Sequence, residues 1–119
     1  MQPSIKIYGI KNCSTMKKAF LYLEELGLSY EFHDYKKQGI DSDSILKWLE
    51  HIPQEKILNK QGTTWKKLSL EQQAYALENQ TQWLETLQAN PSMIKRPILM
   101  AGDTVLVGFD DREYLHYLR

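Results

Sequence analysis

Apolar and polar positions recur with two different periods along the chain, and the switches between them mark its elements. Ile5-Lys6-Ile7-Tyr8 is β-branched and aromatic and closes at Gly9, which predicts a short buried strand. After it Met16, Ala19, Phe20, Leu23 and Leu26 recur at helical spacing, while Lys17, Lys18, Glu24 and Glu25 fall largely on the other side. That pattern predicts a helix with Asn12 as its N-cap and Gly27 as its positive-φ stop. Tyr30 to Tyr35 alternates with period two and predicts a second strand, followed by Lys36-Lys37-Gln38-Gly39 as a solvated connection. A strand, a helix and a strand on short turns form a βαβ unit, so the two strands are expected to run parallel.

The middle of the chain carries only helical signals. Asp41 or Ser42 can cap a helix facing inward through Ile45, Leu46, Leu49 and Ile52, with Trp48 alongside and Pro53 as its stop. Ile57-Leu58 is expected to form a single turn, and Asn59 to Thr64 an irregular loop. Ser69-Leu70-Glu71-Gln72 has the form of a capping box, opening a helix that faces inward through Leu70, Ala74 and Leu77. Thr81 can start another, with Trp83, Leu84 and Leu87 inward and Asn90-Pro91 as its end. Ile98-Leu99-Met100 and Val105-Leu106-Val107 then flank a Gly102-Asp103 turn and predict a hairpin. Asp110 or Asp111 caps a last helix facing inward through Tyr114, Leu115 and Leu118. The order predicts an α/β fold: a thioredoxin-like mixed four-stranded sheet, βαβ…ββα, in one domain over 1–119 with an all-helical insertion at about 41–90.

Composition narrows the function classes. Lysine plus arginine and aspartate plus glutamate both number 15 among 119 residues, so the chain lacks the basic excess of a nucleic-acid binder. No apolar run is long enough to span a membrane, and with a strand pattern starting at Ile5 no leader is expected. A single cysteine allows no internal disulfide, which points to a reducing, cytoplasmic setting. The three histidines, His33, His51 and His116, have no metal-ligand spacing, and no metal is expected.

The candidate chemistry sits where the first strand hands over to the first helix. A thiol at Cys13 meets unpaired backbone N–H groups and the positive end of a helix dipole, and both favour the nucleophilic thiolate. Ser14 and Thr15 can donate to the sulfur or to an anion beside it. Met16 stands where a dithiol motif would carry its second cysteine, so a resolving thiol must come from outside the chain. The alternative reading of Cys13 is a small buried hydrophobe. Arg96-Pro97 precedes the hairpin; such a bond is cis in about 5% of cases, and Lys95 and Arg96 could equally be a solvated charge pair. The Gly62 to Leu68 stretch has two readings. Trp65 anchors it to the helical layer, or Thr63, Thr64 and Lys66 edge a cleft.

Four pieces in order across the chain resemble the arsenate reductase-like family of thioredoxin-fold proteins, the ArsC/Spx family, and its YffB-like branch most closely. They are Ile7 to Cys13 with Lys17-Lys18-Ala19, Gly62 to Leu68, Ile94 to Ile98, and Val107-Gly108-Phe109. The resemblance implies that Cys13 is the redox-active nucleophile, that the Arg96-Pro97 bond is cis, and that Arg96 lies beside the sulfur. Arsenate reductases of the family use two further arginines, at positions where this chain has Asn59 and Gly108; Lys60 could substitute only as a point charge. Spx regulators carry a cysteine pair, which Met16 removes here.

The expected function is therefore a glutathione-dependent thiol reductase with Cys13 and Arg96 catalytic. Lys11, Asn12, Ser14, Thr15, Lys60 and Pro97 are the expected substrate- or glutathione-binding residues. Glutathione is the expected co-substrate, glutaredoxin a possible partner, and the protein is expected to hold no bound cofactor and to be a monomer. The alternatives are an arsenate reductase linked to glutathione and glutaredoxin, and a non-catalytic Spx-like regulator that binds RNA polymerase.

Overall fold

The first strand, β1 (Ile5–Gly9), runs through the middle of the sheet, and that position explains its sequence. Ile5 and Ile7 are buried on one face and Tyr8 on the other, so apolar side chains are needed at nearly every position. The structure, a computed structural model, describes residues 4–119; the expectation about a leader falls partly outside that range. Strand β2 (Glu31–Asp34) pairs parallel to β1, β3 (Ile98–Ala101) pairs antiparallel on its other side, and β4 (Thr104–Val107) pairs antiparallel to β3. The order β2-β1-β3-β4 is the mixed four-stranded sheet of a thioredoxin-like α/β fold. In the β3–β4 hairpin Ala101 faces Thr104, leaving a two-residue loop whose first residue, Gly102, has φ +59°.

Contacts divide the chain into two compact units. One runs to Gln38 and resumes at Lys95; the other is Gly39–Ile94. In the first, helix α1 (Ser14–Glu25) and the last helix, α7 (Asp111–Leu118), lay Met16, Ala19, Leu23, Tyr114 and Leu118 against Ile5, Ile7, Leu99, Ala101 and Leu106 of the sheet. Helix α1 ends in a Schellman motif: Gly27 (φ +71°) donates to the Glu24 carbonyl and Leu28 to that of Leu23, both at 3.0 Å. Phe20 stacks on Tyr30 at 5.2 Å and meets Phe32 edge-on at 5.1 Å, which fastens the helix to the strand that follows it.

The connection expected after β2 is instead one helical turn, α2 (Tyr35–Gln38). Asp34 drives it, because its Oδ1 accepts from Lys36 N–H at 2.9 Å while its own N–H donates to Gln38 Oε1 at 3.1 Å. Strand β2 is correspondingly shorter than expected, and Tyr35 belongs to the turn.

The second unit is helical throughout: α3 (Ser42–Leu49), a 3₁₀ turn at Gln54–Lys56, the short α4 (Thr63–Lys66), α5 (Leu70–Glu78), α6 (Gln80–Ala89) and a 3₁₀ turn at Pro91–Met93. Asp41 caps α3, and the Ser69–Gln72 capping box closes in both directions. Asn79, not Thr81, caps α6. Helix α3 stops at Leu49, before Pro53. Gln54–Lys56 takes the turn expected at Ile57-Leu58, and Leu58 bridges Ile94. The expected loop after Asn59 folds into α4 from Thr63 onward.

Three inner faces differ from expectation for one reason. Each of these helices offers two apolar stripes about one residue apart; the bulkier side chain takes the inside in α3 and α7, and the small Ala76, which lets helices approach closely, takes it in α5. Trp48 and Ile45 are buried in α3 while Leu46 is exposed. Ala76 is buried in α5 while Ala74 and Leu77 are exposed and Leu70 is 85% exposed. Tyr114 and Leu118 are buried in α7 while Leu115 is exposed.

Candidate active site

Strand β1 stops at Gly9, and Ile10-Lys11-Asn12 turns the chain into α1. The expected cap, Asn12, is exposed; the N-cap is Cys13 itself, extended at φ −133° and ψ 129°. Its carbonyl accepts the first helical bond, from Lys17 N–H at 3.1 Å, so the helix begins one residue later than Asn12 capping would require. An N-cap side chain faces the N–H groups two and three residues on. Here those belong to Thr15 and Met16, and a sulfur stands where a capping oxygen would. It closes no full capping bond, so both N–H groups remain available to a charged sulfur.

The electrostatics follow from that geometry. Cys13 is half-buried, and burial alone pushes its thiol up. The N–H groups of Met16 and Thr15 act against it, and so does Arg96, both as a donor to the sulfur and as a charge. The balance lies below the ordinary thiol value. Arg96 is half-buried, the Arg96–Pro97 peptide bond is cis, and the buried Pro97 accepts from Gly108 N–H at 2.8 Å. The structure thus brings together Cys13, Thr15, Met16 and Arg96.

The other predicted site residues are placed less closely. Lys11, Asn12 and Ser14 are exposed around the helix start, and Thr15 acts on the sulfur through its backbone, not its hydroxyl. Lys60 is exposed in the turn after Asn59, in the helical unit. The residues at the two departures from the arsenate reductase pattern both have local backbone roles. Asn59 N–H donates to Met93 O at 2.7 Å and its Oδ1 accepts from Gln61 N–H, while Gly108 has φ +75°, where a side chain would be strained. Thr64 hydrogen-bonds Ser92 at 2.9 Å and Trp65 is buried, which favours the anchoring reading of that stretch. Among the described residues no cluster of His, Cys, Asp or Glu could hold a metal, and no helix is long and apolar enough to cross a membrane. A cavity of about 440 Å³ between α5 and α6, lined by Leu68, Tyr75 and Ala89, contains none of the predicted site residues.

Met16 is fully buried, and its side chain packs against Gly9. A Cβ added to Gly9 would stand 2.7 Å from Met16 Cε and closer still to its Sδ. Gly9→Ala is therefore expected to destabilise the protein by about 1–3 kcal/mol through overpacking. Urea denaturation measures it, and a midpoint equal to that of the wild type would show that Met16 repacks freely.

Known proteins are similar to this chain across nearly its whole length. An uncharacterised protein of Haemophilus influenzae is 37% identical over 110 residues, covering 92% of this chain and 95% of that protein. A solved YffB structure superposes with a TM-score of 0.89 at 41% identity, covering 98% of this chain and all of that one. An arsenate reductase (ArsC) related protein of Brucella melitensis superposes with a TM-score of 0.70 at 42% identity, covering 98% and 95%. A family match over residues 8–117 takes in both Cys13 and Arg96, and the chain belongs to the ArsC family.

Proposed function

We propose that the protein is a glutathione-dependent thiol reductase acting through Cys13 alone. The observation that carries this reading is a helix-capping sulfur favoured as thiolate by the Met16 and Thr15 N–H groups and by Arg96, in a chain with no second cysteine. The substrate class is a mixed disulfide with glutathione, RS–SG. Cys13 thiolate attacks the glutathione sulfur, RS⁻ leaves and takes a proton from solvent, and a Cys13–glutathione disulfide forms. Glutathione thiolate, its proton released to solvent, then attacks that disulfide at the glutathione sulfur and restores Cys13 thiolate. The sum is RSSG plus GSH giving RSH plus GSSG; a glutaredoxin could perform the second attack.

Arg96 and Lys11 supply positive charge for glutathione carboxylates, with Asn12, Ser14, Thr15 and Pro97 completing the binding set. The reaction needs a reducing compartment, consistent with a cytoplasmic protein that works as a monomer. Arsenate is the lesser reading. The arsenate reductase-related relative favours it, but only Arg96 of the three arginines is matched, and Gly108 holds a glycine conformation. An Spx-like redox switch lacks its second thiol at Met16.

The test is direct. Reduced protein incubated with oxidised glutathione is expected to gain the mass of one glutathionyl group, which reduced glutathione then removes. Cys13→Ser is expected to gain nothing. A wild-type protein that stays unmodified would sink the proposal.

A further inference from the structure

Tyr35 is 2% exposed, and its hydroxyl has no hydrogen-bond partner among the described residues. A buried hydroxyl in that state is destabilising unless a donor or acceptor completes it. The sheet register identifies the group that can. Tyr8 of β1 pairs with His33 of β2 on one side and with Ile98 of β3 on the other. Because β2 runs parallel to β1 and β3 antiparallel, two residues forward from His33 and two residues back from Ile98 lead off the same end of the sheet. Those residues are Tyr35 and Arg96.

Tyr8, His33 and Ile98 are register partners and so share one face of the sheet, and Tyr35 and Arg96 follow just beyond its end, in the turn of α2 and before the cis Pro97. The rings continue from one to the next: Tyr8 lies 5.1 Å from His33, and His33 lies 6.4 Å from Tyr35 in a T-shaped contact. Between Tyr35 and Arg96 runs the exit of β1, four residues before Cys13. Burial first, and Tyr8 next, push the Tyr35 phenol well above its ordinary value, with Arg96 pulling the other way; the hydroxyl stays neutral and feels the guanidinium charge. Among the described residues the titratable and charged groups facing it are Tyr8, His33 and Arg96, and the Asp34 carboxylate is turned to Lys36 N–H.

We propose that Tyr35 is a positioning residue whose hydroxyl oxygen is the second anchor of the Arg96 guanidinium, holding it toward Cys13 Sγ when the thiolate forms. Arginine carries five N–H donors in a fixed fork. Those on one side donate to the sulfur, and one on the other side donates to the Tyr35 oxygen. The second bond is open in the present structure, and a reorientation of the guanidinium that keeps its bond to the sulfur closes it. The inference rests on Arg96 acting on the Cys13 thiolate and not on glutathione being the reductant.

The experiment is the pH dependence of Cys13 alkylation by iodoacetamide. Tyr35→Phe is expected to raise the midpoint by about half a unit, or about threefold less thiolate at a pH below it. Its thermal midpoint is expected to match or exceed that of the wild type, because an unpartnered hydroxyl has been removed. In an Arg96→Lys background, which keeps the charge and loses the fork, Tyr35→Phe should shift the midpoint no further. An unmoved midpoint, an equal shift with and without Arg96, or a sharp loss of thermal stability in Tyr35→Phe would each overturn the proposal. These midpoints are independent of glutathione, so failure of the adduct test would leave them readable.

Discussion

Replacing Arg96 with alanine is expected to raise the pH at which Cys13 becomes thiolate by about one unit. The two backbone donors remain in the variant, and so does the burial that opposes them; only the guanidinium is lost. A contacting cation shifts a pKa by about 1–3 units, and solvent at the half-buried sulfur places this one at the low end. Below the midpoint the thiolate fraction falls about tenfold, but a more basic thiolate is also more nucleophilic. With a Brønsted slope of about 0.4–0.5, alkylation by neutral iodoacetamide should slow about threefold near neutral pH. Exchange with oxidised glutathione, which is anionic, should slow by more than that, and the excess measures carboxylate binding by Arg96. An unmoved alkylation midpoint would remove Arg96 from the site.

The same shift has a consequence for stability. The folded pKa of Cys13 lies below the ordinary value, so ionisation stabilises the folded protein above the unfolded thiol's pKa of about 8.5. That contribution is lost as pH falls through the folded pKa. Wild type should therefore gain stability over Cys13→Ser as pH rises across this window, and Arg96→Ala should narrow the window from below.

How far the site could be read in advance depended on where its signals lie. The strand, the Gly9 turn and the α1 stripe are local, and periodicity with glycine punctuation located Cys13 to within one residue of its role. The error was in the cap. Asn12 is the stronger capping residue by type, yet Cys13 takes the extended conformation and its carbonyl accepts the first helical hydrogen bond. Arg96 is a different case, because nothing local in the Lys95-Arg96-Pro97 sequence connects it to a residue more than 80 positions away. Only the family resemblance did so, and the antiparallel β1–β3 pairing is the physical reason. Tyr35 was missed as a site residue because an aromatic at the end of an alternating strand reads as packing. Its importance lies in an unpartnered oxygen, which no pattern of apolar positions encodes. In the helical unit, periodicity and capping signals located the helices and the Trp83–Leu87 face of α6 but not the full inner faces of α3 and α5, since Leu46, Leu70 and Leu77 repeat as regularly as the residues that are buried.

Met16→Cys is expected to change the product of the reaction. Met16 occupies the third position of α1, the Cys13 side chain faces its N–H, and residues three apart on a helix are neighbours. A cysteine there forms a C-x-x-C pair at a helix start, where thiols are acidic and disulfide exchange is rapid. Treated with oxidised glutathione, wild type should keep one glutathionyl group on Cys13. The variant's second thiol should attack that adduct at Cys13 Sγ, expel glutathione, and leave an internal disulfide lighter than the reduced protein by its lost hydrogens. The exchange is opposed by packing: Met16 is fully buried over Gly9, and removing its outer atoms costs about 2 kcal/mol before the bond forms. Reduced Met16→Cys should thus be less stable than wild type, with the oxidised form recovering part of the loss. Mass spectrometry reads the first outcome and urea denaturation in both redox states the second. A glutathionyl group that persists on the variant would mean that Cys13 and position 16 cannot meet the geometry of a disulfide. The solitary thiol would then be a consequence of how the helix start is built and not of methionine alone.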